Sequence, residues 1–413
     1  MINIGLMGLG TVGSGVYEII NNRRRFFEDE IGEKIKIKKV LVKNKNKNRN
    51  IDIDDKLLTL NPKDILDDPE VDIVIDVLSE KEIAYDYLKY ALENKKHVVT
   101  ANKAVVSSKM EELLYLSKEN NKAFLFEASV GGGIPIINSL KQGIKADDIF
   151  QIQGILNGTT NYILTKMYEK GICFKDALKD AQDKGYAEAD PTDDIKGYDT
   201  GRKLAILSTI AYNQPVDSKF INCRGIDEIS IEDINEFRKL KLVPKLIGSS
   251  QRSDNHIYAS VEPLLVKDES FFSNVKDAFN IISLRGYNTG ELRFYGQGAG
   301  KNPTANSVVL DVLDIVKGTY TNGKVYENRK ISGDKYLTFD GEYYLRLSSK
   351  DGKDNNYLLN ILNMYNSKHK VINDKESLIV ILPWTSENLI NKMINEIKLN
   401  VEDIRYFYSG IYG

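Results

Sequence analysis

The chain has 413 residues, which predicts two or three domains rather than a single core, and its 42% hydrophobic residues suffice to fill them. A net charge of -2 offers no positive field to nucleic acid or an anionic membrane, and no apolar run reaches the roughly 20 residues that cross a bilayer. Cys173 and Cys223 stand in unrelated contexts, so neither a disulfide framework nor a zinc site is predicted, and a reducing cytoplasm fits best.

The chain begins with a predicted strand, a glycine-rich turn and a helix. Residues 2–7 alternate in polarity as a strand does, and apolar residues between 12 and 20 recur at helical spacing. The intervening GLGTVG can form a tight turn that a pyrophosphate approaches closely, at a helix N-terminus that favours anions. Similar turns also occur in α/β folds that bind no nucleotide. The predicted cofactor contacts are Gly8, Gly10, Thr11, Val12 and Gly13.

Strands and amphipathic helices then alternate up to about residue 130. IKIKKVLVK alternates as a second strand, whereas VDIVIDVL, HVVTANKA and AFLFEASV are apolar runs typical of buried parallel strands. Helices are predicted in KEIAYDYLKYALENKK and SSKMEELLYLSKENNK. Right-handed crossovers then give a doubly wound parallel sheet, which binds ligands beyond the carboxyl ends of its strands.

Three lysines follow predicted strand ends in this first unit. Folds that prefer NAD place an acid after the second strand, to accept hydrogen bonds from the ribose 2′-hydroxyl. Here Lys43 and Lys45 occupy that place and would attract a 2′-phosphate, which favours NADP, although lysines in a polar loop are often simply solvated. Use of both NADP and NAD stays open. Lys103, in TANKA, follows a later strand and is expected to face cofactor and substrate.

The most informative stretch of the middle region is GYAEADPTDDIKGYDTGRKLAIL, which crowds five carboxylates before an apolar-faced helix. Asp199 and Lys203 lie four residues apart, hence on one helical face, where a surface pair contributes only ~0.3 to 0.5 kcal/mol. In hydride exchange with a carbonyl, Lys203 or Lys103 can serve as proton donor to the developing oxyanion. Nearby acids suit a substrate with an ammonium group.

Two further features bear on the reaction class. Asn157 to Thr160, in ILNGTTNYIL, could cap a helix, contact a small ligand, or do both. Neither cysteine stands in a plausible nucleophile setting, which disfavours an acylating aldehyde dehydrogenase. Simple exchange between an alcohol and an aldehyde remains.

Six motifs occur in the order and approximate spacing of the homoserine dehydrogenases, which the chain resembles up to about residue 320. They are GLGTVG, TANKA, FEASVGGGIPI, NGTTNYIL, AEADPTDDIKGYDTGRKLAIL and GQGAGKNPTANSVV. The resemblance implies NAD(P)-dependent interconversion of L-homoserine and L-aspartate 4-semialdehyde in threonine, methionine and isoleucine biosynthesis. It also implies a homodimer or homotetramer.

The resemblance assigns roles residue by residue. Lys203 corresponds to the proton donor, with Asp199 beside it, and Lys103 to the second active-site lysine. Glu188 and Asp194 correspond to positions that bind the homoserine amino and hydroxyl groups. Gly300 corresponds to a cofactor contact, and the helix after it packs back on the nucleotide-binding domain. EASVGGGI resembles a loop that binds a monovalent cation, Na⁺ or K⁺, mostly through backbone carbonyls at Glu127, Val130, Gly132 and Ile134.

Two departures from the family pattern stand out. Ser79 and Glu80 replace two glycines near the nicotinamide half of the cofactor, where a bulkier, acidic side chain is expected to alter cofactor affinity or geometry. The tail from Tyr336 resembles an ACT regulatory domain of βαββαβ order, yet DGKDNNY replaces the usual Pro-Gly turn. Binding of threonine there stays open, and dimer stabilisation is the role that remains.

The predicted organisation is therefore α/β with three domains. Residues 1–130, completed by 301–320, form a Rossmann domain; residues 131–300 form an α+β substrate and dimerisation domain; residues 336–413 form the ACT-like domain. Two alternatives to a homoserine dehydrogenase are a weakened paralogue that senses a nucleotide or amino acid, and an aspartate-type amino acid dehydrogenase. Neither of them requires both lysines together with the middle acids.

Overall fold

The computed structural model describes residues 1–253, 256–322, 341–349, 356–365, 368–373, 378–398 and 401–408. Its first unit is a parallel sheet flanked by helices on both faces. The elements are β1 (Ile2–Met7), α1 (Thr11–Asn22), α2 (Arg24–Ile31), β2 (Ile35–Leu41), β3 (Leu58–Thr59), α3 (Lys63–Leu66), β4 (Ile73–Asp76), α4 (Lys81–Glu93), β5 (His97–Thr100), α5 (Lys103–Glu119) and β6 (Phe124–Leu125).

The strand order β3-β2-β1-β4-β5-β6, with all neighbours parallel, confirms the predicted doubly wound Rossmann sheet. β4 is buried along its whole length, as its continuous apolar run predicts. Helix α5 begins four residues before the predicted helix, because the Asn102 side chain accepts a hydrogen bond from the Val105 N–H and caps it. TANKA therefore contains both the end of β5, at Thr100, and the start of α5, at Lys103.

A second unit is built around an antiparallel sheet of order β12-β11-β7-β9-β10. Its helix α10 packs against β7 and β9 and carries the acid and lysine singled out in the sequence. The elements are α6 (Ile136–Gly143), β7 (Ile149–Ile155), α7 (Gly158–Lys170), α8 (Phe174–Asp183), α9 (Thr192–Ile195), α10 (Tyr198–Tyr212), β8 (Asn222–Cys223), α11 (Ile231–Lys239), β9 (Leu242–Ser253), β10 (His256–Lys267), β11 (Phe279–Gly286), β12 (Gly290–Gln297) and α12 (Lys301–Lys317).

Helix α12 returns to the first unit and packs closely on α1. A Cβ atom at Gly15 would lie 2.8 Å from the Ala305 Cβ and 3.0 Å from the Lys301 carbonyl oxygen, so the two helices approach at this glycine. Ala305, Val308 and Val312 are fully buried in the same core as β1 and α1. The packing agrees with the return expected for the helix after Gly300.

The C-terminal region has the predicted βαββαβ order. Its elements are β13 (Gly341–Ser349), α13 (Asn356–Tyr365), β14 (Lys370–Asn373), β15 (Leu378–Thr385), α14 (Glu387–Ile397) and β16 (Val401–Tyr408). The strands run in the order β16-β13-β15-β14, and β16 pairs with β10, so they continue the sheet of the second unit. The predicted start at residue 336 and residues 351–355 of DGKDNNY lie outside the described residues.

A buried ion pair and an aromatic cluster join the C-terminal region to α11. The Arg346 guanidinium donates to both oxygens of Asp233, at 2.7 and 3.1 Å, and Asp233 is fully buried. Phe237 contacts Tyr344 and Phe407 edge-on, with ring centroids 5.0 and 5.3 Å away. Across the described ranges, no helix combines the length and the apolar character that a membrane span requires.

Candidate active site

The glycine turn after β1 has the geometry of a dinucleotide cradle. Gly8 has a φ of 103°, and a Cβ atom at Gly13 would lie 2.2 Å from the Gly8 carbonyl oxygen, so both positions require glycine. A Cβ at Gly10 would meet no protein atom within 4 Å and would point into open space. No side chain caps α1, so the N–H groups of Thr11 and Val12 at its start are available to an anion. These features fit a bound pyrophosphate.

The predicted catalytic residues meet around one buried carboxylate. Asp199, at the start of α10, is 1% exposed and forms ion pairs with Lys103 through one oxygen and with Lys203 through the other. The Lys203 Nζ lies 2.7 Å from the Asp199 Oδ2 and donates to the Leu156 carbonyl at 2.8 Å. Lys103 comes from the first unit and Lys203 from the second, so the two units meet at this carboxylate.

Asn157 links the cluster to a second acid, Asp194. Its Nδ2 donates to the Asp194 Oδ1 at 2.7 Å and to the Asp199 Oδ2 at 2.9 Å. Its Oδ1 accepts from the Thr160 N–H at 2.8 Å and caps α7. Asn157 therefore caps α7, one of the two roles that the sequence left open, and it places Asp194 at the same site as the two lysines.

The cluster shifts the proton affinities of its members in different directions. Burial would raise the pKa of Asp199, but the two ammonium groups outweigh it and hold that pKa far below its usual range. Burial and the charge of Lys103 lower the pKa of Lys203, although Asp199 opposes them. For Lys103 the same carboxylate outweighs burial and raises the pKa. Burial and the charge of Asp199 raise the pKa of Asp194. Lys203 is thus the lysine that releases a proton more readily.

A buried network that the sequence reading missed supports Lys103. Asp76, at the end of β4, accepts from the Thr100 hydroxyl at 2.7 Å and from the Leu78 N–H at 3.0 Å. Thr100 in turn accepts from the Asn102 N–H at 2.9 Å, and the Asn102 side chain donates to the Leu78 carbonyl at 3.1 Å. Burial raises the pKa of Asp76 to about 6. An acid at the end of a continuous apolar strand was the signal available in the sequence.

The other predicted contact residues lie in less enclosed positions. Glu188 is exposed, and its backbone carbonyl accepts from the Gln182 side chain at 3.0 Å. Lys43 forms an ion pair with Glu80, one of the two residues that depart from the family pattern, and Lys45 is exposed. Gly300 has a φ of 123° and precedes the first residue of α12.

The glycine-rich loop 131–133 packs against the loop before α12. A Cβ atom at Gly132 would lie 2.6 Å from the Gly298 carbonyl oxygen, and the Gly132 carbonyl accepts from the Ser307 hydroxyl at 2.6 Å. The Glu127 carboxylate accepts the N–H groups of Ile137 and Asn138, at 2.8 and 2.7 Å, at the start of α6. Within the part of the chain that the structure describes, no cluster of three or more His, Cys, Asp or Glu residues could hold a metal ion.

Comparison with known proteins identifies relatives over most of the chain. The family model "Homoserine dehydrogenase, NAD binding domain" matches residues 8–127, and the model "Homoserine dehydrogenase" matches residues 135–313. The homoserine dehydrogenase of Bacillus subtilis (strain 168) is 44% identical over 358 residues, which are 85% of this chain and 82% of the relative.

Solved structures agree with the sequence matches. A homoserine dehydrogenase from Thiobacillus denitrificans is 33% identical with a TM-score of 0.88, covering 100% of this chain and 99% of that chain. A hyperthermophilic archaeal homoserine dehydrogenase, solved in complex with NADPH, is 27% identical with a TM-score of 0.67, covering 78% of this chain and 99% of that chain. The chain belongs to the homoserine dehydrogenase family of NAD(P)-dependent oxidoreductases.

Proposed function

We propose that Lys203 donates the proton to the aldehyde oxygen when L-aspartate 4-semialdehyde is reduced to L-homoserine, the family's reaction in threonine, methionine and isoleucine biosynthesis. The observation that carries this assignment is the buried Asp199 carboxylate, which holds Lys203 and Lys103 at one point of contact between the two units. Of the two lysines, Lys203 is the one whose pKa is lowered, which favours proton transfer near neutral pH.

The surrounding residues divide the remaining tasks. Asp199 and the Leu156 carbonyl hold the Lys203 ammonium in place, so that a proton leaving Nζ has one direction to take. Lys103 stays charged and stabilises the negative charge that develops on the substrate oxygen. Asp194, at the cluster, and Glu188, which is exposed, bind the substrate amino and hydroxyl groups. A reduced nicotinamide bound at the glycine turn would supply the hydride.

We propose NADP as the preferred cofactor, with NAD also accepted. Gly8, Gly10 and Gly13 would hold the pyrophosphate, and Gly300 would contact the cofactor from α12. Lys43 and Lys45 follow β2, where the 2′-phosphate of NADP would lie, and no carboxylate stands in the 42–49 stretch to accept a ribose hydroxyl. The archaeal relative in complex with NADPH supports this choice.

We also propose that a monovalent cation, Na⁺ or K⁺, binds the carbonyls of Glu127, Val130, Gly132 and Ile134. All four residues are buried, and the Val130 carbonyl accepts no hydrogen bond from the described residues, so a cation would satisfy a buried acceptor. The Glu127 carboxylate is already used at α6, which leaves backbone carbonyls as the ligands. The role of the ion would be structural.

We propose three domains, 1–130 completed by 301–320, 131–300 and 336–413, in a cytoplasmic homodimer or homotetramer. The α1–α12 packing supports the first boundary, and the two cysteines are free, as a reducing compartment favours. Exposed apolar side chains around the β11–β12 hairpin, Tyr287, Leu292 and Tyr295, support assembly through the second unit.

The test is oxidation of L-homoserine by the purified protein with NADP⁺ or NAD⁺ in separate cuvettes, with and without threonine, followed at the reduced-nicotinamide absorbance. Lys203→Ala should lower kcat by about two to four orders of magnitude, the usual contribution of general acid–base catalysis, while dinucleotide binding stays near normal. Lys196→Ala is the matched control, because Lys196 lies seven residues earlier and pairs at the surface with Asp227, at 2.8 Å. Unchanged turnover in Lys203→Ala would remove this residue from the mechanism.

A further inference from the structure

The ion pair between Lys43 and Glu80 lies across the mouth of the dinucleotide crevice. Lys43 follows β2 and Glu80 follows β4, whereas the glycine turn starts from β1, the strand between them. Met7, the last residue of β1, is in register with Leu41 of β2 and Asp76 of β4. The ion pair therefore connects the two strands that flank the glycine turn.

The backbone fixes how far this bridge must reach. The Gly8 N–H donates to the Leu41 carbonyl and the Val77 N–H to the Met7 carbonyl, both at 3.0 Å, so the three strand ends are held side by side. The ends of β2 and β4 are two strand spacings apart, about 10 Å, and the contact between Lys43 and Glu80 joins the loops that follow them. Their contact therefore crosses the end of β1, in front of Gly8.

The same position is where a dinucleotide must lie. Its pyrophosphate rests on the turn after β1, and its adenosine ribose lies beyond the end of β2. A 2′-phosphate carries about two negative charges near neutral pH, so it competes with the Glu80 carboxylate for the Lys43 ammonium. A cofactor with a free 2′-hydroxyl has no such group and leaves the ion pair in place.

The other cations in the loop after β2 are less well placed than Lys43 to bind a 2′-phosphate. Arg49 folds back and donates to the carbonyls of Asn44 and Lys47, at 2.5 and 2.8 Å, so its guanidinium stabilises the loop itself. Lys45 is exposed, and within the described residues no ion pair directs its ammonium group toward the turn. Among the described residues of this loop, Lys43 is thus the one whose ammonium group is held across the crevice, by its ion pair with Glu80.

We propose that Glu80 is a cofactor-selectivity residue, which reduces the preference for a 2′-phosphate by holding Lys43 across the crevice. The proposal rests on the proposed use of NADP and extends it to a residue that does not touch the reacting atoms. Glu80 precedes α4 and its side chain caps no N–H group, so replacing its carboxylate by an amide leaves the helix start intact.

The experiment measures equilibrium binding of NADP⁺ and NAD⁺ to the full chain by calorimetry, without substrate. Glu80→Gln should tighten NADP⁺ binding about fivefold, the upper end for an exposed charge pair, and NAD⁺ binding about twofold or less. Glu82→Gln is the matched control, since Glu82 lies two residues further on, is exposed and pairs with Lys81 rather than Lys43. It should change neither affinity. Thermal denaturation of each variant verifies that folding is unchanged.

A double-mutant cycle assigns the effect to Lys43. In the Lys43→Met background, Glu80→Gln should tighten NADP⁺ binding by less than twofold. An equal gain for both cofactors, a gain that persists without Lys43, or no measurable NADP⁺ binding by any variant would overturn the proposal. Turnover of homoserine with NAD⁺ by the unmodified chain is read separately, so failure of the selectivity role is distinguishable from failure of the proposed reaction.

Discussion

Asp199→Asn should destabilise the protein far more than the loss of a surface ion pair. The side chain is 1% exposed and its carboxylate is shared by Lys103 and Lys203. An isosteric amide removes the carboxylate that pairs directly with the buried Lys203 ammonium, a change that costs about 3 to 5 kcal/mol. Lys203 keeps the Leu156 carbonyl, and the Lys103 side chain is 40% exposed, so water takes over part of its solvation. We therefore expect the lower end, about 3 kcal/mol.

The loss of folding stability in Asp199→Asn should become smaller as pH rises. Burial already lowers the pKa of Lys203 from 10.5, and removal of Asp199 takes away the interaction that opposes this shift. Below the folded-state pKa both states carry the proton, so the full cost of the buried charge is present. As pH rises from the folded-state pKa toward the unfolded value, the folded protein releases a proton that the unfolded chain retains, and stability increases. The deficit should be largest at neutral pH and smaller near pH 10.

Urea denaturation at a series of pH values, followed by two spectroscopic probes, measures this difference. Asp193→Asn is the matched control, because Asp193 pairs with Arg202 at the surface and its side chain is 65% exposed. It should stay within about 0.5 kcal/mol of the unmodified protein. If Asp199→Asn lost less than about 1 kcal/mol at neutral pH, or lost the same amount at every pH, the charge cluster would not be the unit inferred from the structure.

Three further predictions concern the glycine turn, the buried His97 side chain and the ion pair between Arg346 and Asp233. Gly10→Ala should fold normally, because its Cβ points into open space, yet dinucleotide titration should show binding at least about tenfold weaker. Gly13→Ala should lose about 1 to 3 kcal/mol of stability in thermal denaturation, because its Cβ would clash with the Gly8 carbonyl oxygen. Burial and the charge of Lys122 lower the pKa of His97 from 6.5 to about 4, so His97 should contribute a loss of about 2 kcal/mol of stability as pH falls through that window, measured in acid titrations as the difference between the unmodified protein and His97→Gln. Arg346→Met should cost about 3 kcal/mol in urea denaturation, since it removes the cation from the fully buried Asp233.

Local patterns in the sequence were sufficient to predict the parallel sheet. The apolar run VDIVIDVL became a strand buried along its whole length, and the glycines of GLGTVG occupy a turn where Gly8 has a positive φ and Gly13 has no room for a side chain. Both signals depend only on neighbours in the chain. The βαββαβ order of the tail was predictable for the same reason, since each element carries its own periodicity.

The sequence could not reveal which charged groups pair across long separations. Lys43 meets Glu80, 37 residues further along the chain, and the Arg346–Asp233 contact spans 113 residues. Such contacts depend on strand order, which places β2 and β4 on either side of β1 and continues β10 into β16. The resemblance to relatives flagged Glu80 as unusual, but only the arrangement of strands shows that it faces a lysine over the glycine turn.

One ion pair of Asp199 lies within a single helix, whereas the other depends on the packing of two helices. Lys203 lies four residues away on the same helix, so its distance to Asp199 is fixed as long as α10 is folded. Lys103 belongs to α5 of the first unit and reaches Asp199 only where α5 and α10 pack together. A movement of one unit relative to the other would therefore separate Lys103 from the carboxylate while leaving Lys203 paired. Since Lys103 contributes to lowering the pKa of Lys203, docking of the two units also tunes the proton donor.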